Sequence, residues 1–206
     1  LENIAVAGHS YGGYTSLAIG GAQYDFESFI ERCESVAEVN PALYRSKCVP
    51  LVDKAEYLAD RAGLAEVPEG LWPPMGDPRV TAIIPMAGNS YLFDEAGLAA
   101  ITVPMLVLGG TADSMTPYDW SSKPAYDFAS SDKKAFVAFE GGEHTFMMGR
   151  TTDMPWLVDT PFYGYANIDP VWDRDRSLDL TNHFMTAFLL SELKGDAEAA
   201  AALAPE

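Results

Sequence analysis

The residues best suited to chemistry come early, in Gly8-His9-Ser10-Tyr11-Gly12. A serine hydroxyl is a poor nucleophile until a neighbouring base accepts its proton. Setting it on a tight strand-to-helix turn lifts its oxygen clear of a sheet, and glycine two places before and two after leaves room for the crowded backbone. Residues 3–7 read as a buried strand, and the stretch from Tyr11 to Gly20 as a helix. The first amides of that helix face any developing oxyanion, which makes the Tyr11 backbone N–H the candidate donor.

A serine activated in this way needs a base, and the base needs an acid to orient it. On such a scaffold they follow in the chain order serine, acid, histidine, on loops after later strands. Three histidines exist. His9 adjoins the serine, where its side chain points away from Ser10 and reads as packing. His183 lies inside a C-terminal helix and reads as a satisfied core or surface residue. His144, in Glu-Gly-Gly-Glu-His-Thr-Phe directly after the last predicted strand, is the candidate general base. For the acid, Asp113 ends a preceding strand. Its rivals are Asp94, on the loop of a different strand, and Asp119, in a first helical turn where the helix dipole favours an acid anyway. Position favours Asp113.

The elements that must place these groups alternate in type. After the first strand and helix, residues 21–78 break the rhythm, with both cysteines, a helical stretch over 51–65 and a proline-rich exit. Predicted strands follow at 79–88, 103–110 and 133–142, with a helix over 117–131 between the last two. Apolar, β-branched runs without polar alternation predict a parallel sheet covered on both faces, hence an α/β fold. Residues 145–176 form a long aromatic- and proline-rich loop. A final helix is expected from Ser177 as N-cap to Lys194, with Gly195 to stop it, and the alanine-rich tail after it is expected to fray.

Composition narrows the classes. Thirteen basic against 30 acidic residues give a net charge of −17, which repels nucleic acid and anionic membranes. No apolar run approaches the ~20 residues that span a bilayer. Cys33 and Cys48 fit no zinc pattern. The acidic run Asp173-Arg174-Asp175-Arg176-Ser177-Leu178-Asp179 lacks a calcium-loop glycine and reads as solvated loop. Neither a metal nor an organic cofactor is implied.

The stretches GHSYGG, DPRVTAIIPMAG, VPMLVLGGTAD, GGEHTF and LTNHFMTAFLLSELKGD together resemble the C-terminal part of an α/β-hydrolase. They are similar to a bacterial branch that resembles dienelactone hydrolases and platelet-activating factor acetylhydrolase. The resemblance implies a mainly parallel sheet with helices on both faces. It also implies that the N-terminal strands, the second oxyanion donor and any export signal lie in upstream residues of the same domain, which are needed to complete the sheet. Residues 21–78 become a cap-like insertion. A dienelactone hydrolase carries cysteine as nucleophile, so Ser10 is a departure that favours ester hydrolysis. The branch is often exported, which implies a periplasmic or secreted protein with a Cys33–Cys48 disulfide. Two free thiols in a cytoplasmic protein remain the alternative.

The expected function is serine hydrolysis of carboxylic esters through Ser10, Asp113 and His144. A thioesterase or peptidase using the same triad, or a silent binding module, are the alternatives. Trp72 from the insertion, with Phe146 and Trp156 from the long loop, are the candidate substrate-binding residues. Met147, Met148, Phe162, Tyr163 and Tyr165 extend that apolar set. With the acidic chain they point to neutral, short-acyl small-molecule esters over long lipids or free-carboxylate esters.

Overall fold

A computed structural model describes residues 3–147, 155–161 and 169–203. Four strands, β1 (Ile4–His9), β2 (Val80–Met86), β3 (Met105–Gly110) and β4 (Lys134–Phe139), form one sheet in the order β1-β2-β3-β4. Every neighbouring pair is parallel. Each crossover passes through helical structure: α1 (Tyr11–Ile19), α2 (Phe26–Val39) and α3 (Ala55–Arg61) before β2, α4 (Glu95–Ala99) before β3, and α5 (Ser122–Phe128) before β4. Beyond β4 come α6 (Arg174–Lys194) and a short α7 (Ala197–Ala201).

The two-residue period of a strand explains how one apolar run serves two cores. Ile83, Met105 and Val107 face one layer with Leu17, Leu98 and Ala125 from α1, α4 and α5. Their sequence neighbours Ala82, Ile84, Leu106 and Leu108 face the opposite layer, closed by Phe188 of α6. The predicted strands and the doubly covered parallel sheet are both present, and the architecture is that of the α/β-hydrolase fold.

Several expectations give way at the helix ends. The cap of α6 is Asp173, whose carboxylate accepts from the Arg176 N–H, and not Ser177, which is fully buried. An acid one turn earlier supplies a better acceptor at a positive helix end. Gly195 does stop the helix, at φ 68°. The alanine-rich tail forms α7, capped by Asp196, with Ala199 buried. The expected helix over 117–131 divides into a 3₁₀ turn, Tyr118–Trp120, and α5.

Within residues 21–78, α2 carries the apolar stripe Phe29, Cys33 and Val36 and ends at Asn40, which caps a short turn, Pro41–Leu43, that leads into a π-helical turn, Tyr44–Cys48. Cys33 and Cys48 are joined in a disulfide. Together with Phe29 and Tyr91 they form a small core of their own, separate from the two sheet cores.

Candidate active site

The turn after β1 is strained at Ser10. Ser10 has φ 60° and ψ −113°, a conformation L-residues rarely adopt, and its N–H is fixed by the Met86 carbonyl of β2 at 2.8 Å. The turn is tight because backbone meets backbone. A Cβ on Gly8 would sit 2.4 Å from the Gly12 carbonyl carbon, and one on Gly13 would sit 2.6 Å from Gly88 Cα. Gly12 meets nothing within 4 Å, so the second crowded glycine is Gly13 and not the one that completes the pentapeptide. Tyr11 opens α1, so its N–H has no acceptor within the helix.

The three expected side chains come together in a line. Ser10 Oγ lies 2.9 Å from His144 Nε2, and His144 Nδ1 lies 2.8 Å from Asp113 Oδ2. Donation from Nδ1–H to the carboxylate leaves Nε2 as the acceptor for the serine proton. Both His144 and Asp113 are buried. Burial alone would raise the Asp113 pKa, but bonds from His144 and from the Thr116 N–H and hydroxyl bring it below the ordinary carboxylate value. The rivals sit elsewhere: Asp94 caps α4 by accepting from Gly97 N–H, and Asp119 is exposed.

The loop that bears His144 is held from three directions, on three consecutive carbonyls. His9 Nε2–H donates to the His144 carbonyl at 2.7 Å, Arg174 Nη1 to that of Thr145 at 2.9 Å, and Ser177 Oγ to that of Phe146 at 2.7 Å. Burial, the largest influence, holds the His9 pKa below 6.5, so the ring is neutral and its Nε2 keeps the donated proton. His9 is therefore more than packing: its ring lies 4.7 Å from that of His144. Glu143 joins the acid and base loops by accepting from the Ser114 N–H at 3.1 Å and hydroxyl at 3.0 Å. None of these supports has a sequence signature, since each pairs a side chain with a carbonyl or amide far along the chain.

The candidate substrate residues separate. Trp72 is buried in the wall of a cavity of about 360 Å³ between the elbow and the 21–78 segment. Phe146 does not reach that cavity. It is fully buried on the opposite side of the sheet, 4.4 Å from the Phe139 ring, with Met147 beside it. The chain turns inward after His144, and the apolar side chains complete the α6 core. Trp156 is 68% exposed and lines none of the described cavities. Met148, Phe162, Tyr163 and Tyr165 lie outside the described residues. The cavity wall holds Lys47 and Arg61 and no carboxylate, so its local charge has the opposite sign to the chain as a whole. No described helix is long and apolar enough to cross a membrane.

A family described as PETase, PET hydrolase-like, matches residues 72–158, a segment that contains Asp113 and His144 but not Ser10. No curated protein matches. Among solved structures, the chain is similar to a truncated form of a carbohydrate esterase from gut microbiota, at 12% identity and a TM-score of 0.32. That match covers 84% of this chain and 57% of the esterase, so this chain spans little more than half of its length. Sheet order, helices on both faces and the strained serine turn between β1 and α1 make this an α/β-hydrolase fold.

Proposed function

We propose that the protein is a serine hydrolase of carboxylic esters, with Ser10 as nucleophile, His144 as general base and Asp113 as its orienting acid. The observation that carries this reading is the hydrogen-bonded line from Asp113 through His144 to Ser10 Oγ on a strained turn. In the first step Ser10 Oγ bonds to the acyl carbon while His144 Nε2 takes the hydroxyl proton. The carbonyl oxygen becomes an oxyanion beside the Tyr11 N–H, one such donor being worth about 2.7–4 kcal/mol. Collapse breaks the ester bond, and the alcohol leaves with the proton from His144. Water then attacks the acyl-enzyme, again deprotonated by His144, and releases the acid. The likeness of residues 72–158 to PET hydrolase-like proteins supports ester over thioester or peptide bonds, which the same groups could also cleave.

The acyl group in this reading is short. The expected bar against free-carboxylate esters, drawn from the acidity of the whole chain, is set aside because the cavity wall holds Lys47 and Arg61 and no carboxylate. An exported location also belongs to this reading, supported by the disulfide, which persists in oxidising compartments. A fluorophosphonate probe should label Ser10, and Ser10→Ala and His144→Ala should each lower kcat on the order of 10⁶-fold, because such groups act as a unit. Substantial turnover by Ser10→Ala would overturn the mechanism. Labelling without turnover of any ester would indicate a silent module. In a p-nitrophenyl series from acetate to palmitate, kcat/KM should fall with chain length, and a rise would replace the short acyl group with a lipid chain.

A further inference from the structure

The cavity beside the elbow has a composition that the rest of the chain does not share. Seven of its lining side chains are aromatic, and its wall carries two cations, Lys47 and Arg61, but no aspartate or glutamate. This occurs in a chain with 30 acidic and 13 basic residues. Lys47 is half-buried, with no carboxylate within ion-pair distance among the described residues. Its Nζ instead faces the Tyr91 ring, 5.7 Å from the centroid. Across the wall, Trp72 is nine-tenths buried and more, and its Nε1–H finds no acceptor. The ammonium, partnered only by a ring face, is the group in the wall that awaits an oxygen, whereas the Trp72 Nε1–H is shielded from the cavity. Tyr11, the residue after Ser10, forms part of the same wall. Burial lowers the Lys47 pKa, and attraction to Asp113 opposes it.

We propose that this cavity binds the alcohol half of the ester, as an aromatic ring bearing a carboxylate that accepts from Lys47 Nζ. The proposal rests on the ester-hydrolase reading, in which the short acyl group leaves the larger half of the substrate to the cavity. Ring and charge are required together. The aromatic wall takes a flat apolar group, and a neutral ligand would desolvate Lys47 without compensating it. The overall acidity slows the approach of an anion, but a cleft of one sign inside low-dielectric walls sets the field at the point of binding.

The test compares 4-acetoxybenzoate with the neutral 4-acetoxybenzamide, with phenyl acetate as the reference ester. Wild type should favour the carboxylate in kcat/KM. Lys47→Met should reduce the carboxylate-to-amide ratio about tenfold or more, the loss expected for a charge-assisted hydrogen bond. Lys47→Arg should keep the preference, and taking the ratio within each variant cancels a general loss of folded enzyme. A second arm needs no turnover: Ser10→Ala should bind 4-hydroxybenzoate more tightly than 4-hydroxybenzamide by calorimetry, and Lys47→Met in that background should abolish the difference. Hydrolysis of phenyl acetate with a ratio that Lys47→Met leaves unmoved, or equal binding of acid and amide, overturns the proposal. Failure to hydrolyse any of the three esters overturns the ester-hydrolase reading instead, and the binding arm still decides the cavity.

Discussion

The elbow and the roof above it are built on opposite principles. Around Ser10 the contacts are backbone on backbone: Gly8 against Gly12, Gly13 against Gly88, and the Ser10 N–H on the Met86 carbonyl. No side chain fits between them, so Ser10 has one position. The 21–78 segment is built from side chains, with an aromatic cluster and a disulfide enclosing a space they do not fill. Reaction geometry tolerates almost no variation, whereas selection among substrates depends on the shape and charge of an opening.

The sharpest way to break the first region is at its acid. Asp113→Asn should lower kcat by about 10⁴-fold, because the amide can stabilise the wrong tautomer of His144. Asp119→Asn, exposed on its turn, should change kcat little. The reverse order in steady-state kinetics would reassign the acid.

Next come the glycines. Gly13→Ala should destabilise by about 1–3 kcal/mol and depress kcat, since the added methyl collides with Gly88 and with the Met86 carbonyl that holds Ser10. Gly12→Ala, in open space on a helix, should be neutral or stabilise by up to about 1 kcal/mol. Chemical denaturation of both variants checks this, and similar losses would mean that the elbow is not set by backbone contact.

The roof should respond differently. Replacing Cys33 and Cys48 by serine opens a 15-residue closure, which contributes about 3 kcal/mol in the chain-entropy view. Hydrogen exchange should quicken over residues 26–48 while β2 and β3 stay protected, and KM should rise more than kcat falls. Equal loosening of the sheet would show that the two regions are one cooperative unit.

The smallest effect ties the elbow to pH through His9. The folded His9 pKa lies below 6.5, so between 6.5 and that lower value the unfolded chain binds a proton that the folded chain refuses. Stability from the neutral ring is thus present above 6.5 and lost as pH falls through the window. His9→Gln keeps a donor near the His144 carbonyl but does not titrate. Its Tm should fall less between about pH 7 and about pH 5 than that of wild type, by about 2–4 °C. Parallel curves would remove His9 from the acid response.

How much of this was legible depended on the range of the interaction. Ser10, Asp113 and His144 could be picked out because each follows directly on an apolar run, so local pattern and chain order locate them. The stripe Phe29, Cys33 and Val36 carried a helical period that marks α2, and attention to spacing alone would have found it. Phe146 and Ser177 were misassigned for a common reason: an aromatic or a hydroxyl beside a loop has the same local signature whether it faces a pocket or a core.

By itself, then, the sequence determined the period of its apolar residues, and with it the strands, the helices, the doubly covered parallel sheet and the serine turn. These follow from chain-local sterics and from which faces must leave water. The tertiary structure alone decided which glycine is crowded, which side chains hold the three carbonyls at His144, and the sign of charge in the cavity. Each of these is a pairing between groups far apart in the chain, and a net charge of −17 says nothing about where 13 cations are placed.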